Sequence, residues 1–200
     1  MIDTLEFVLN RYNVVKDSKP ISLPYKRGEL GLLFKALDFK LGAEIGTDRG
    51  FFAEELSQLN PEGKLICIDP WKVYSAYHDF TDQHKLDKNY EETKRRLAPY
   101  NCEIIKKSSE GAIKDFKENS LDYVYIDGNH EFEYVLWDIQ HWSKIIKPGG
   151  IISGHDYTWM AHRRPRYDVQ RALKIYFEGQ TPTLFLLTAQ RSSSWFFVKV

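Results

Sequence analysis

The chain has 200 residues, 42% hydrophobic and 28% charged, which suits one domain with a core of its own and excludes a disordered chain. Lys plus Arg and Asp plus Glu each number 28, so no global charge draws it to nucleic acid or to an anionic membrane. The two cysteines, Cys67 and Cys102, lie in apolar strand-like runs; they read as buried thiols of a reducing compartment, not as a disulfide framework or a zinc site. No apolar run approaches membrane-spanning length and the N-terminus lacks a basic-then-apolar signal pattern, so a cytoplasmic protein with no membrane partner is expected.

Ile2, Leu5, Val8 and Leu9 recur at helical spacing and predict a short helix ending near Asn13. Lys19 to Gly28, with two prolines and no period, reads as a loop. Leu30, Leu33, Phe34 and Leu37 predict a second amphipathic helix. Leu41 to Gly50 then reads as a short buried strand (Ala43 to Gly46), a glycine turn and a helix starting near Arg49. Such a corner turns backbone N–H groups and a positive dipole end outward, and Gly46 and Gly50 permit a sharp bend and close approach to the backbone. Glu44 is out of place in an apolar strand, because a buried carboxylate needs a partner. A cationic or hydrogen-bond-donating ligand would be one.

Phe52, Leu56 and Leu59 mark the helix that follows, and Lys64 to Asp69 is a continuous apolar strand ending in an acid. Asp69 comes 23 residues after Gly46, the place where a carboxylate at the second strand tip binds a ribose diol, although an Asp there also caps a turn. The aromatic stretch 71–83, with Trp71, Tyr74, Tyr77, His78 and Phe80, reads as a lid or part of an acceptor pocket. Leu86 to Leu97 is a helix, Glu103 to Lys107 a third strand, and Ser108-Ser109-Glu110 can cap the next helix or bind an adenine. Leu121 to Asp127 is a fourth strand leading to Gly128-Asn129-His130; Phe132 to Trp142 has the cleanest helical period in the chain. Ile151 to Gly154, a fifth strand, runs into His155-Asp156-Tyr157, and a basic-aromatic insertion follows with Arg163, Arg164 and Arg166. After a helix over Val169 to Tyr176, Thr183 to Thr188 and Trp195 to Val200 read as strands too close in sequence for a crossover, hence antiparallel.

This order specifies an α/β fold: a Rossmann-like, doubly wound, mostly parallel seven-stranded sheet with a C-terminal antiparallel hairpin. One domain over 1–200 is expected, with a helical cap at 1–40 and acceptor-site insertions at 70–83 and 157–167. Polar residues gather at five strand tips, where ligands of such sheets bind.

The chain resembles the class I S-adenosylmethionine-dependent methyltransferases, in particular the small-molecule and sugar O-methyltransferase branch with an Ile-Asp-Gly-x-His motif. The stretches that carry the resemblance are Glu44 to Gly50, Ile68 to Trp71, Ile126 to His130 and Lys147 to Asp156. The resemblance implies S-adenosyl-L-methionine as cofactor, with Glu44 and Gly46 around its methionine part, Asp69 on the ribose and Ser109 near the adenine. Thr47, Asp48, Gly50, Trp71 and Asp127 complete the expected cofactor-binding set. Transfer to an oxygen needs alignment and removal of a proton. His130 is the expected base, since imidazole exchanges protons near neutrality; Asp127 and His155 join it in the expected catalytic set. Metal-dependent relatives hold Mg²⁺ with acids at the fourth and fifth strand tips, here Asp127 and Asp156, and the third protein ligand is left open because Tyr157 stands where one catechol-type pattern has Asn.

The expected partner is a small-molecule acceptor, sugar-like or anionic, with the arginines of the insertion as its contact; a homo-oligomer whose second subunit completes the site is kept open. A nicotinamide-dependent oxidoreductase on a similar sheet and a nucleic-acid-binding or nucleic-acid-modifying protein are the competing readings. The missing Gly-x-Gly-x-x-Gly fingerprint counts against the first and the balanced charge against the second.

Overall fold

The computed structural model describes residues 3–74, 82–161 and 164–200. Its main sheet has eight strands: β1 (Ile21–Leu23), β2 (Leu41–Ile45), β3 (Lys64–Asp69), β4 (Cys102–Lys106), β5 (Leu121–Ile126), β6 (Ile146–Gly154), β9 (Phe185–Leu187) and β10 (Ser194–Val198). A separate antiparallel pair is formed by β7 (Trp159–Ala161) and β8 (Arg164–Arg166). The order across the sheet is β1-β9-β10-β6-β5-β2-β3-β4. All pairings are parallel except those of β10 with β6 and β9.

The doubly wound plan and the C-terminal hairpin are as the sequence predicts, with one correction. Seven strands become eight because the presumed loop at 19–28 contains β1, which pairs parallel with β9 (Ile21 opposite Phe185). Three residues are too few to show a period, so this strand is a product of the edge it joins. The expected insertion at 157–167 contains the β7–β8 pair, whereas Tyr77, His78, Phe80 and Arg163 lie outside the described residues.

The helices are α1 (Thr4–Tyr12), α2 (Glu29–Ala36), α3 (Phe51–Leu59), α4 (Gln83–Leu97), α5 (Ser109–Ala112), α6 (Phe132–Ile145) and α7 (Asp168–Tyr176). They cover both faces of the sheet, because parallel strands buried on both sides need apolar helical stripes on each. On one face Val135, Ile139 and Trp142 of α6 and Val169 and Leu173 of α7 pack on Ile45, Ile68, Val124 and Ile126. On the other, Leu30, Leu33 and Phe34 of α2 and Phe52 and Leu56 of α3 pack on Cys67, Tyr123 and Tyr125. Asp3 accepts from the Glu6 backbone N–H at 3.1 Å, and α1 ends in left-handed Asn13. Asp82 caps α4 through the His84 N–H at 3.0 Å. These caps satisfy end groups the helices cannot bond themselves. No helix among the described residues is long and apolar enough to cross a membrane.

Candidate active site

The carboxyl ends of β5, β2, β3 and β4 lie side by side in that order, about 14 Å across at the usual spacing of ~4.8 Å between strands. Above them lies a cavity of about 530 Å³, a size suited to a nucleoside-based ligand. Gly46, Asp48, Asp69, Ser109 and Asp127 line it, so five of the residues singled out from sequence converge on one space. Thr47, Gly50 and Trp71 do not line it, and neither does Glu44.

The glycine turn is built more for its own packing than for a bare ligand cradle. Gly46 has φ of 89°, and a Cβ on it would lie 2.2 Å from the Asp127 carbonyl oxygen. Gly50, with φ of 75°, is the residue before α3. Between them Asp48 is left-handed (φ 46°), and the turn is braced from outside. Its carbonyl accepts from Trp71 Nε1 at 2.7 Å and Thr93 Oγ1 at 2.6 Å, and its carboxylate accepts from Asn89 Nδ2 at 2.6 Å. Trp71 is fully buried and left-handed at φ 40°, an unusual conformation for a bulky residue. It therefore holds the turn from behind.

Asp69 accepts from the backbone N–H of Trp71 at 2.7 Å and of Asp48 at 2.9 Å. It thus performs the turn-capping role and faces the cavity as well, and burial pushes its carboxyl up to about 6. Ser108 caps α5 through the Gly111 N–H at 3.1 Å. Ser109, the next residue, is turned instead to the cavity, where its Oγ donates to Asp138.

Glu44 stands on the α2/α3 face, with Cys67 and Tyr125 beside it in register on the neighbouring strands. Its Oε2 and Thr47 Oγ1 are buried, with no hydrogen-bond partner in good geometry among the described residues. Burial raises the Glu44 carboxyl to about 8, with the Asp127 charge adding to it. An acid that holds its proton more tightly folded than unfolded makes the fold less stable as pH climbs from its unfolded value of ~4 toward the folded one. The ligand-free protein should accordingly lose melting temperature between about pH 5 and about pH 8.5, and Glu44→Gln should flatten that slope. Melting curves across this range check it; an unchanged slope in Glu44→Gln would remove Glu44 as the cause.

At the β5 end of the cavity four titratable residues meet. His130 Nε2 lies 3.3 Å from Asp156 Oδ2 and 3.9 Å from Asp127 Oδ1; His155 Nδ1 lies 3.0 Å from Asp156 Oδ1 and 3.6 Å from Asp127 Oδ1. Arg27 Nη1 adds a 3.5 Å ion pair to Asp127 Oδ2, its guanidinium 4.4 Å from the Phe52 ring centroid. Burial works against a charged His155, but the Asp156 hydrogen bond and the Asp127 charge outweigh it and hold the imidazole above its ordinary value. Burial raises the Asp127 carboxyl in spite of the two histidines and Arg27. Asp156 is left-handed (φ 55°), a conformation that costs energy and is held by the surrounding structure. The Trp195 indole donates to the His155 carbonyl at 3.0 Å, bracing that end of β6. Ligand atoms of Asp127, His130 and Asp156 all fall within 4.8 Å of one another, a set able to hold a divalent cation.

Asp138 and Arg27 are among the residues of the site not singled out from sequence. Asp138 breaks the apolar stripe of α6 between Val135 and Ile139, a signal open to inspection. Arg27 sits in an aperiodic segment, and nothing in the local pattern marks it.

Residues 43–157 match the family described as a methyltransferase domain. An uncharacterized protein of Acanthamoeba polyphaga mimivirus is 29% identical over 129 residues, covering 61% of this chain and 55% of that protein. The chain spans only 16% and 55% of the lengths of the curated relatives it matches. An O-methyltransferase from Bacillus cereus solved in complex with SAH has a TM-score of 0.62 at 17% identity, covering 100% of this chain and 92% of that one. An O-methyltransferase from Streptomyces achromogenes involved in tomaymycin synthesis, solved with SAM, has a TM-score of 0.57 at 16% identity, covering 100% and 91%. At such identities these structures establish a shared fold.

Proposed function

Because the chain belongs to the methyltransferase domain family, we propose that it transfers a methyl group from S-adenosyl-L-methionine to an oxygen of a small-molecule acceptor. The observation that carries this reading is the charge of the cavity. Among the described lining residues six are acids (Asp48, Asp69, Glu110, Asp127, Glu133, Asp138) and one, Lys72, is a base. A sulfonium with an ammonium group suits that field, whereas the pyrophosphate of a nicotinamide dinucleotide is repelled by it. The oxidoreductase reading is not favoured.

In this reading the cofactor supplies an electrophilic methyl group on its sulfonium. Asp69, fixed by two backbone N–H groups, receives the ribose hydroxyls; Asp48 and Gly46 border the methionine part, with Glu44 and Thr47 behind the turn. The acceptor, sugar-like or anionic, enters beside Asp127 and His130. Residues 1–40 belong to the same single domain, as cap and edge strand β1. The acceptor role expected of 70–83 and 157–167, with Arg163, Arg164 and Arg166, falls largely on residues or side chains outside the described ones. His130 takes the hydroxyl proton, with Asp156 orienting its ring through Nε2. The Ile-Asp-Gly-x-His branch is where this arrangement belongs.

A second reading rests on the clustered oxygens and nitrogen of Asp127, Asp156 and His130. These three would hold a Mg²⁺-like ion, with His130 filling the place left open after the two acids, and the ion would lower the pKa of the acceptor hydroxyl.

Calorimetric titration of SAH into wild type and Asp69→Ala tests the main reading. Binding on the order of micromolar in wild type, at least ~10-fold weaker in Asp69→Ala, is expected. Folded wild-type protein that gives no heat with SAH or S-adenosylmethionine would overturn it.

A further inference from the structure

Asp138 is 4% exposed on the inward stripe of α6, flanked by the apolar Val135, Ile139 and Trp142. A carboxyl in such a place carries a large desolvation cost, and among the described residues Asp138 accepts a hydrogen bond from Ser109 Oγ. Trp142 Nε1, which can only donate, hydrogen-bonds to Ser109 Oγ at 2.7 Å, and the serine directs its own O–H to Asp138. The relay ends in a carboxyl used as an acceptor. That carboxyl borders the cavity, together with Trp137 and Ser108.

Its place along the cavity follows from the strand order. Asp127 marks the β5 tip, Gly46 the β2 tip and Asp69 the β3 tip; Ser109, which holds Asp138, follows β4 at the far end. A nucleoside with its ribose on Asp69 and its sulfur toward Asp127 therefore puts its base against Ser109 and Asp138. Resting on the cofactor reading above, we propose that Asp138 reads the purine: it accepts a hydrogen bond from the exocyclic amino group of adenine and rejects a base that carries an oxygen there. Burial pushes the ligand-free carboxyl up to about 7. An N–H from the ligand stabilises the ionised form and draws it back down.

The test compares S-adenosylhomocysteine with S-inosylhomocysteine, which differ in the amino group against a carbonyl oxygen, by calorimetry at about pH 8. Wild type should bind the adenine form at least ~30-fold more tightly, since hypoxanthine sets an oxygen lone pair against a carboxylate. In Asp138→Asn, whose amide can donate to that oxygen, the preference should shrink at least ~10-fold, with the inosine form gaining in absolute affinity. The wild-type comparison requires no variant, so equal affinities there overturn the proposal even if Asp138→Asn does not fold. A variant that weakens both ligands alike makes Asp138 merely structural and likewise overturns it, with the cofactor reading intact. Wild type that binds neither ligand overturns the cofactor reading and this assignment together.

Discussion

Gly46→Ala should lower the unfolding free energy by about 2–5 kcal/mol and weaken SAH binding at least ~100-fold. The cause is the loop after β5 more than the ligand. The added methyl would lie 2.2 Å from the Asp127 carbonyl oxygen and 2.6 Å from Gly128 Cα, both backbone atoms that cannot rotate away. The conformation, φ of 89°, is itself unfavourable for alanine. Relief requires parting β2 from β5, yet the Gly46 N–H is bonded to the Ile68 carbonyl and the Asp127 N–H to the Ile45 carbonyl, each at 2.8 Å. Any such movement displaces Asp127 and the Asp48 N–H that holds Asp69, so binding falls together with stability. Gly50→Ala is the control: it has comparable φ but meets only the Thr93 methyl at 3.2 Å and Leu97 at 3.4 Å. Denaturant unfolding and calorimetry of the two variants decide the matter; equal losses would show that backbone conformation, and not the contact with Asp127 and Gly128, sets the requirement.

His130→Ala should reduce methyl transfer by ~10²–10⁴ in kcat while SAH affinity stays within about threefold. The imidazole stands beyond Asp127 and is not among the residues lining the cavity, so its removal is expected to alter the reaction and not the hold on the nucleoside. The side chain is partly exposed (16%), and its loss leaves no large void in the core. A metal titration separates its two roles. If wild-type activity survives chelation, His130 acts on the proton; if activity is lost and returns with Mg²⁺, His130→Ala should also weaken the metal dependence by ~10-fold or more. An unimpaired kcat in His130→Ala would eliminate both roles.

Much of the site was legible because strand tips in an open parallel sheet are placed by chain order alone. Once Leu41–Ile45, Lys64–Asp69 and Leu121–Ile126 are read as strands joined by helices, Gly46, Asp69 and Asp127 must share one edge. The alternation of strands with helices, the antiparallel final hairpin and the resemblance of four stretches to one family all reside in local pattern. Other features depended on contacts between segments far apart in the chain. β1 exists because β9 offers it an edge 164 residues away, from Ile21 to Phe185, and Arg27 reaches Asp127 across 100 residues. The demand on Gly46 comes from the Asp127–Gly128 backbone. Trp71, which its neighbours in sequence suggested for the ligand, supports the turn from behind, while Asp138 faces the cavity from a helix otherwise read as pure core. Sequence determined which residues lie at the strand ends, because a strand's period and direction are local properties. Which of those side chains turn to the ligand and which brace the backbone was decided only by tertiary packing, because the hydrogen bonds that make the choice cross between elements.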